Sequence, residues 1–236
     1  LSAPEHIGEV VRCRVEDGGI LTERKGINVP RTLVKLPAVG PHDLDCLEHA
    51  LSQNVDFIAV SYVRNASDLA PARERIKEAG VHTWIVAKIE HPAALEKLNE
   101  IVEAADVVMV ARGDLGVEIP LEEVPAAQER IVSACLERGT PVVVATQMLE
   151  SMVNHARPTR AEVTDVATAI RQHVSAVMLS GETAGGQHPV KAVETMARFA
   201  ETVEASTADL REPPALAAYV STRVITGAAV DIARQT

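Results

Sequence analysis

Apolar and polar positions follow two rhythms along most of this chain, helical spacing giving way to short, nearly continuous apolar runs and then returning. Pro41 to Gln53 carries Leu44, Leu47 and Leu51 at helical spacing, and Val55 to Val63 follows as a strand. Ala66 to Ala79 reads as a helix with Ser67 as its cap and Gly80 as its stop. Trp84 to Glu90 is a strand, Pro92 to Ala105 a helix, and Val107 to Asp114 a second apolar run of the strand type. Val124 to Arg138, ended by Gly139, is the next helix, and Pro141 to Thr146 the next strand. Thr159 to His173 is helical, Ala176 to Ser180 is a strand, and Pro189 to Ala205 is a long last helix. The pattern gives five strands, each followed by a helix.

Strands this apolar are buried on both faces, and strands that alternate with helices build a parallel sheet. Such a sheet is either doubly wound or closed as a barrel. Residues able to do chemistry follow four different strands, as in a barrel, and do not gather around one glycine-rich first turn. The expected fold is therefore α/β, of the (β/α)8 TIM-barrel type. A closed barrel needs about eight strands. Five leave two unpaired edges, so the barrel is expected to be incomplete. Val10 to Glu16 instead alternates apolar and polar and runs into Asp17-Gly18-Gly19, as in an antiparallel hairpin belonging to a separate small β domain.

Composition narrows the partners. Of 236 residues, 47% are hydrophobic and 24% charged, which suits a globular enzyme with a real core. Aromatic residues are only 2%, leaving no platform for stacking exposed bases, and a formal charge of −10 argues against nucleic acid or an acidic membrane. Cys13, Cys46 and Cys135 are widely spaced and suit reduced thiols better than a disulfide framework. The eight histidines have no paired helical spacing of the kind zinc uses. No stretch has the run of about eighteen apolar residues of a membrane span, and no secretory leader pattern opens the chain, so the cytoplasm is the expected compartment. The opening Leu1-Ser2-Ala3-Pro4, without an initiator Met, raises the expectation of a fragment or a processed product.

Two of the apolar runs end in carboxylates, Glu90 and Asp114. Successive strands of a parallel sheet point the same way, so both acids fall on one rim, where two hard oxygen ligands invite Mg²⁺. Lys88 and Glu90 are two apart and leave the same face. Each has a plainer reading as well: Lys88 and Glu90 as a salt bridge at a strand end, Glu90 as a helix N-cap acid, Asp114 as a turn acid ahead of Leu115-Gly116, Thr146 as a β-branched strand residue, Lys25 as a solvated surface lysine.

Six segments resemble the pyruvate kinase family in order and spacing: Lys25 to Pro30 (KGINVP), Ala87 to Glu90 (AKIE), Met109 to Pro120 (MVARGDLGVEIP), Ala145 to Met152 (ATQMLESM), Arg157 to Glu162 (RPTRAE) and Met178 to Ala184 (MLSGETA). The resemblance implies a (β/α)8 barrel with a small β domain inserted after its third strand. On that reading residues 1–24 are the remnant of the inserted domain and residues 25–210 a partial barrel from its third to its eighth helix. Residues 211–236 then begin a C-terminal α/β domain, whose first helix starts near Tyr219.

It also implies the reaction, transfer of the phosphoryl group of phosphoenolpyruvate to ADP to give pyruvate and ATP. Lys88 would be the catalytic cation, touching substrate, and Glu90 and Asp114 the protein ligands of Mg²⁺ (or Mn²⁺). Gly113, Asp114 and Thr146 would bind the substrate carboxylate, and Lys25 the nucleotide phosphates. Ser180 and Glu182 would line the same mouth and orient the water that protonates the enolate. The family's K⁺ ligands come from barrel strands outside this sequence, and its members assemble as homotetramers. The pattern departs at Gln172-His173-Val174-Ser175, where the family has an acidic-Gly-Ala-acidic stretch, so the helix before it lacks a glycine suited to a left-handed cap. Two other functions stay open at this point: a Mg²⁺-dependent 2-oxo acid lyase or decarboxylase, and a non-catalytic remnant that only binds partners.

Overall fold

The computed structural model describes residues 2–7, 10–16, 18–20, 23 and 37–207. Lys25 and everything beyond residue 207 lie outside the described residues, as do the expected helix near Tyr219 and residues 1, 8, 9, 17, 21, 22 and 24 of the expected 1–24 segment.

Near the start, β1 (Ser2–Ile7) pairs antiparallel with β2 (Val10–Arg14), with Ile7 opposite Val10. A hairpin containing the Val10 strand is there, with its described partner strand preceding it; residues 21–22 and 24–36, where a following strand was expected, lie outside the described residues. The link is two residues long, the commonest hairpin connection. Ser2–Ile7 hides its strand character because it contains Pro4, and the pairing register slips between Ser2 and Glu5, where a proline has no N–H to give.

The main body is a five-stranded parallel sheet: β3 (Phe57–Val60), β4 (Trp84–Ile89), β5 (Val107–Ala111), β6 (Val142–Ala145) and β7 (Ala176–Met178). The spatial order is the chain order, β3-β4-β5-β6-β7. A doubly wound sheet reverses direction at a switch point, whereas a barrel winds one way throughout, so this order favours the barrel. Burial follows position. Ile85, Val86, Ala87 and Ile89 of β4, and Val107, Val108, Val110 and Ala111 of β5, are buried, while Phe57 at the β3 edge is 54% exposed.

Between strands run α1 (Pro41–Ser52), α2 (Ala70–Ala79), α3 (Pro92–Glu96), α4 (Leu98–Ala104), α5 (Arg112–Glu118), α6 (Val124–Arg138), α7 (Arg160–Arg171), α8 (Gly181–Ala184) and α9 (Pro189–Thr207). Gly80 (φ 65°) and Gly139 (φ 70°) end α2 and α6 in the left-handed region, as their positions forecast. Three expectations need correction. The helix from Pro92 to Ala105 is broken at Lys97, because the Leu95 carbonyl accepts from Arg130 Nη2 at 2.6 Å, from a neighbouring helix. The first turn of the Ala66 helix is 3₁₀ and is capped by Asn65, whose Oδ1 accepts from the Ser67 N–H at 3.0 Å, so Ser67 is the recipient and not the cap. Strand β3 stops at Val60, short of Val63, since Tyr62 turns to φ 52°. His173 takes φ 61° just after α7, the conformation for which a glycine is missing. Among the described residues no helix is long and apolar enough to cross a membrane.

Candidate active site

The sheet register decides what meets at the rim. Ala87 pairs with Val60 and Lys88 with Met109, Ala111 with Ala145, and Ala145 with Met178. One to three residues past these pairs the chain reads Ser61-Tyr62, Glu90, Arg112-Gly113-Asp114, Thr146-Gln147 and Ser180. Parallel strands whose ends fall in register therefore deliver five segments, remote in sequence, to one mouth.

Lys88 and Glu90 do share a face. Lys88 Nζ lies 2.5 Å from Glu90 Oε1, with the Glu90 side chain 1% exposed and that of Lys88 23%. The contact is an ion pair without good hydrogen-bond alignment, and it leaves Glu90 Oε1 buried with no hydrogen bond. The residues just after β3 hold both groups: Lys88 Nζ donates to Ser61 Oγ at 2.9 Å, and the Tyr62 N–H donates to Glu90 Oε2 at 2.7 Å. Burial pushes the Glu90 carboxyl above its ordinary 4.5; Lys88 and the Tyr62 N–H oppose that shift, and the nearby charge of Asp114 adds to it. Burial, followed by Asp114, Glu90 and Glu118, likewise raises the Tyr62 phenol above 10.0, which marks the three acids as neighbours of that ring. Glu90 is not a helix cap: His91 caps α3, its Nδ1 accepting from the Ala93 N–H at 3.1 Å.

Asp114 is not a loop acid either. Helix α5 starts directly after β5, placing Asp114 in its first turn, where the helix dipole favours a negative charge. Thr146 lies past the end of β6 at φ 69°, so it is no ordinary strand residue. Its Oγ1 accepts from the Gly113 N–H at 2.7 Å and donates to the Ala145 carbonyl at 2.6 Å. A Cβ on residue 113 would stand 3.3 Å from that oxygen, so glycine permits the approach. The two groups expected to bind a carboxylate are thus hydrogen-bonded to each other.

Glu182 is 1% exposed and lies in α8, not at a strand end. Its Oε1 accepts from the Leu149 N–H at 3.0 Å and its Oε2 from the Ser180 N–H at 2.8 Å, which ties the loop after β6 to the loop after β7. Ser180 Oγ is buried and has no hydrogen-bond partner. Lys25 lies outside the described residues.

The donor set fits a hard divalent ion. Glu90 brings a buried oxygen lacking a hydrogen bond, and a second carboxylate close enough to repel it electrostatically. Among the described residues no group of three or more His, Cys, Asp or Glu side chains could hold a metal. A carboxylate pair is the kind of donor set that commonly holds Mg²⁺ when substrate oxygens and water complete its shell. Sequence reasoning missed Ser61, Tyr62 and Arg112. The only local signal was an arginine at the end of a buried strand.

Comparison with known proteins agrees with this layout. The family profile "Pyruvate kinase, barrel domain" matches residues 3–193. The chain is 49% identical over 203 residues to a pyruvate kinase of Dictyostelium discoideum, covering 85% of this chain and 40% of that protein. It is 51% identical over 191 residues to one of Methylorubrum extorquens (81% and 39%), and 43% identical over 219 residues to pyruvate kinase isozyme G, chloroplastic, of Ricinus communis (93% and 52%). It therefore spans from two fifths to one half of the length of these relatives. With the profile running through both carboxylate-bearing strands and the sheet wound in a single direction, the chain belongs to the pyruvate kinase family, a family of phosphotransferases, and carries part of its barrel domain.

Proposed function

We propose that this chain supplies the catalytic mouth of a pyruvate kinase, transferring the phosphoryl group of phosphoenolpyruvate to ADP and leaving pyruvate and ATP. The observation that carries the reading is the Lys88–Glu90 pair, buried at the rim beside Asp114 and anchored by Ser61 and Tyr62. Glu90 and Asp114 would hold Mg²⁺ (or Mn²⁺), which when bound supplies positive charge to the anionic oxygens of the substrate. Lys88 lends its ammonium to the phosphoryl group in flight and to the enolate oxygen it leaves behind. Its ion pair and the Ser61 hydrogen bond fix where that charge sits. The Thr146 hydroxyl and the Gly113 N–H turn from each other to grip the substrate carboxylate, and the Asp114 backbone completes that cradle. Ser180 Oγ, buried and unpartnered, orients the water that protonates the enolate, while Glu182 fixes the Ser180 backbone. Lys25 binding nucleotide phosphates, a K⁺ requirement met by ligands outside this chain, cytoplasmic residence and a homo-oligomeric assembly belong to the same proposal. Their support is family membership.

The test is pyruvate formation from phosphoenolpyruvate and ADP with Mg²⁺ and K⁺, run beside size-exclusion chromatography of the same preparation. Turnover by a defined species supports the reading. Turnover of a 2-oxo acid without ADP would replace it with the lyase, and a folded, monodisperse protein that neither turns over nor binds phosphoenolpyruvate would overturn it.

A further inference from the structure

Two adjacent residues at the mouth, Thr146 and Gln147, sit at φ 69° and 54° without being glycine. Such placements are unfavourable for a residue with a Cβ, so something outside the segment must hold them. The holder is Arg112. Its side chain is 8% exposed, and every nitrogen of the guanidinium is engaged. Nη2 donates to the Thr146 carbonyl at 2.8 Å and the Gln147 carbonyl at 3.2 Å, and Nε donates to the Thr146 carbonyl at 3.3 Å. Nη1 meets Asp165 of α7 at 2.7 Å and Gln128 of α6 at 3.4 Å. Gln128 in turn donates to Gln172 at 2.7 Å, so the fork is braced from both helices.

We propose that Arg112, neutralised by Asp165, is a positioning residue that holds the Thr146–Gln147 turn in its left-handed form and so aims the Thr146 hydroxyl at Gly113 and at the substrate carboxylate. The inference rests on the carboxylate-binding role given to Thr146 above. Among the described residues Asp165 is paired with Arg112 and with no residue assigned to substrate or metal, so it acts through Arg112. Without it a buried guanidinium loses its counter-charge, and moving toward water costs it the two carbonyls. A lysine at 112 cannot replace the fork, because one ammonium cannot span two carbonyls and a carboxylate in the plane they share. Among the described residues neither the Glu90 nor the Asp114 side chain is hydrogen-bonded to the turn, so metal affinity is expected to stay.

Asp165→Ala, Asp165→Asn and Arg112→Lys, each in the full chain, separate this role from plain stability. The readouts are the methyl resonance of Thr146, the exchange rate of the Gly113 amide, Mg²⁺ affinity alone, and phosphoenolpyruvate affinity with Mg²⁺. Asp165→Ala and Arg112→Lys should shift the Thr146 methyl, speed Gly113 exchange and weaken phosphoenolpyruvate about tenfold with Mg²⁺ affinity unchanged. Asp165→Asn, which keeps a hydrogen-bond acceptor, should recover part of each effect. An unmoved Thr146 resonance in folded Asp165→Ala would overturn the proposal, and so would equal losses of Mg²⁺ and phosphoenolpyruvate affinity. If the unaltered chain binds no phosphoenolpyruvate, the kinase reading fails, while the Thr146 and Gly113 signals still decide whether Arg112 holds the turn.

Discussion

The two ends of the parallel sheet are built from similar polar residues put to opposite uses. At the foot, where strands begin, side chains finish the backbone. Asp106 Oδ2 accepts from the Ile85 N–H at 2.8 Å and pairs with Arg73 at 2.6 Å, while Arg73 also donates to the Ala104 carbonyl at 2.7 Å. Thr83 donates to the Val55 carbonyl at 2.9 Å, and Ser175 accepts from the Val142 N–H at 3.1 Å. Each donor there meets an acceptor. At the mouth, polar groups face one another in ways that leave something over: a buried Glu90 oxygen and a buried Ser180 hydroxyl without hydrogen bonds, and Tyr62, Thr146 and Gln147 in left-handed backbone. Left-handed backbone occurs at the foot too, at Asn54 and His173, but buried side-chain groups left without hydrogen bonds beside it are found at the mouth, as expected of a barrel whose foot serves stability.

Substitutions can break that division. Lys88→Met should cut turnover by about 10³-fold or more while moving the unfolding midpoint little, because the partly exposed ammonium, on the proposed reading, contributes chiefly at the moment of phosphoryl transfer. Steady-state rates and a thermal melt on one sample check this. Asp106→Ala should do the reverse. It strands the Ile85 N–H and the Arg73 charge, costing about 2 kcal/mol in denaturant unfolding with turnover per folded molecule preserved. Equal damage to activity and stability in both variants would erase the distinction between the ends.

Gly113→Ala places a methyl 3.3 Å from Thr146 Oγ1 and should weaken phosphoenolpyruvate several-fold, about 1 kcal/mol, with little change in stability. Glu162 is the mouth residue that behaves like a foot residue. It accepts from Ser151 and from the N-cap Thr159, and these hydrogen bonds hold its carboxyl below the ordinary 4.5 despite the opposing effect of burial. A depressed folded-state pKa means a contribution present in full above the unfolded value and lost as pH falls through the folded one. Glu162→Gln should therefore cost about 1 kcal/mol at pH 7, discounted for partial exposure. The gap from the unaltered chain should close below pH 4.5, read from chemical unfolding at several pH values. The smallest effect belongs to the foot: His173→Gly should add somewhat under 1 kcal/mol of stability by relieving φ 61° at an exposed site.

The sequence made the sheet legible because period is a local property. Val107 to Ala111 and Val142 to Ala145 are apolar at every position and could only be inner strands, and Gly80 and Gly139 stop helices where the apolar spacing ends. It also made Lys88 and Glu90 legible as a pair, since residues two apart on a strand share a face, and Asp114 legible as their neighbour, since parallel strands end together. Where helical spacing ran on, competition from elsewhere in the chain stayed invisible: Arg130 reaching the Leu95 carbonyl splits one expected helix into two. Pro4 hid β1 in the same way, by masking a pairing that only its partner strand reveals.

What only the tertiary structure decided is the wiring between strand ends. Ser61 and Tyr62 reach Lys88 and Glu90 across 27 and 28 residues, and Arg112 reaches the Thr146 and Gln147 carbonyls across 34 and 35. No local signature marks a tyrosine, a threonine or a glutamine that will be turned into left-handed backbone, because those conformations are unfavourable on their own. They exist only where contacts from other segments outweigh the cost. Rhythms a few residues long thus determined which side chains stand at the rim. The fold decided how those side chains are held, through hydrogen bonds that exist only after the strands have aligned.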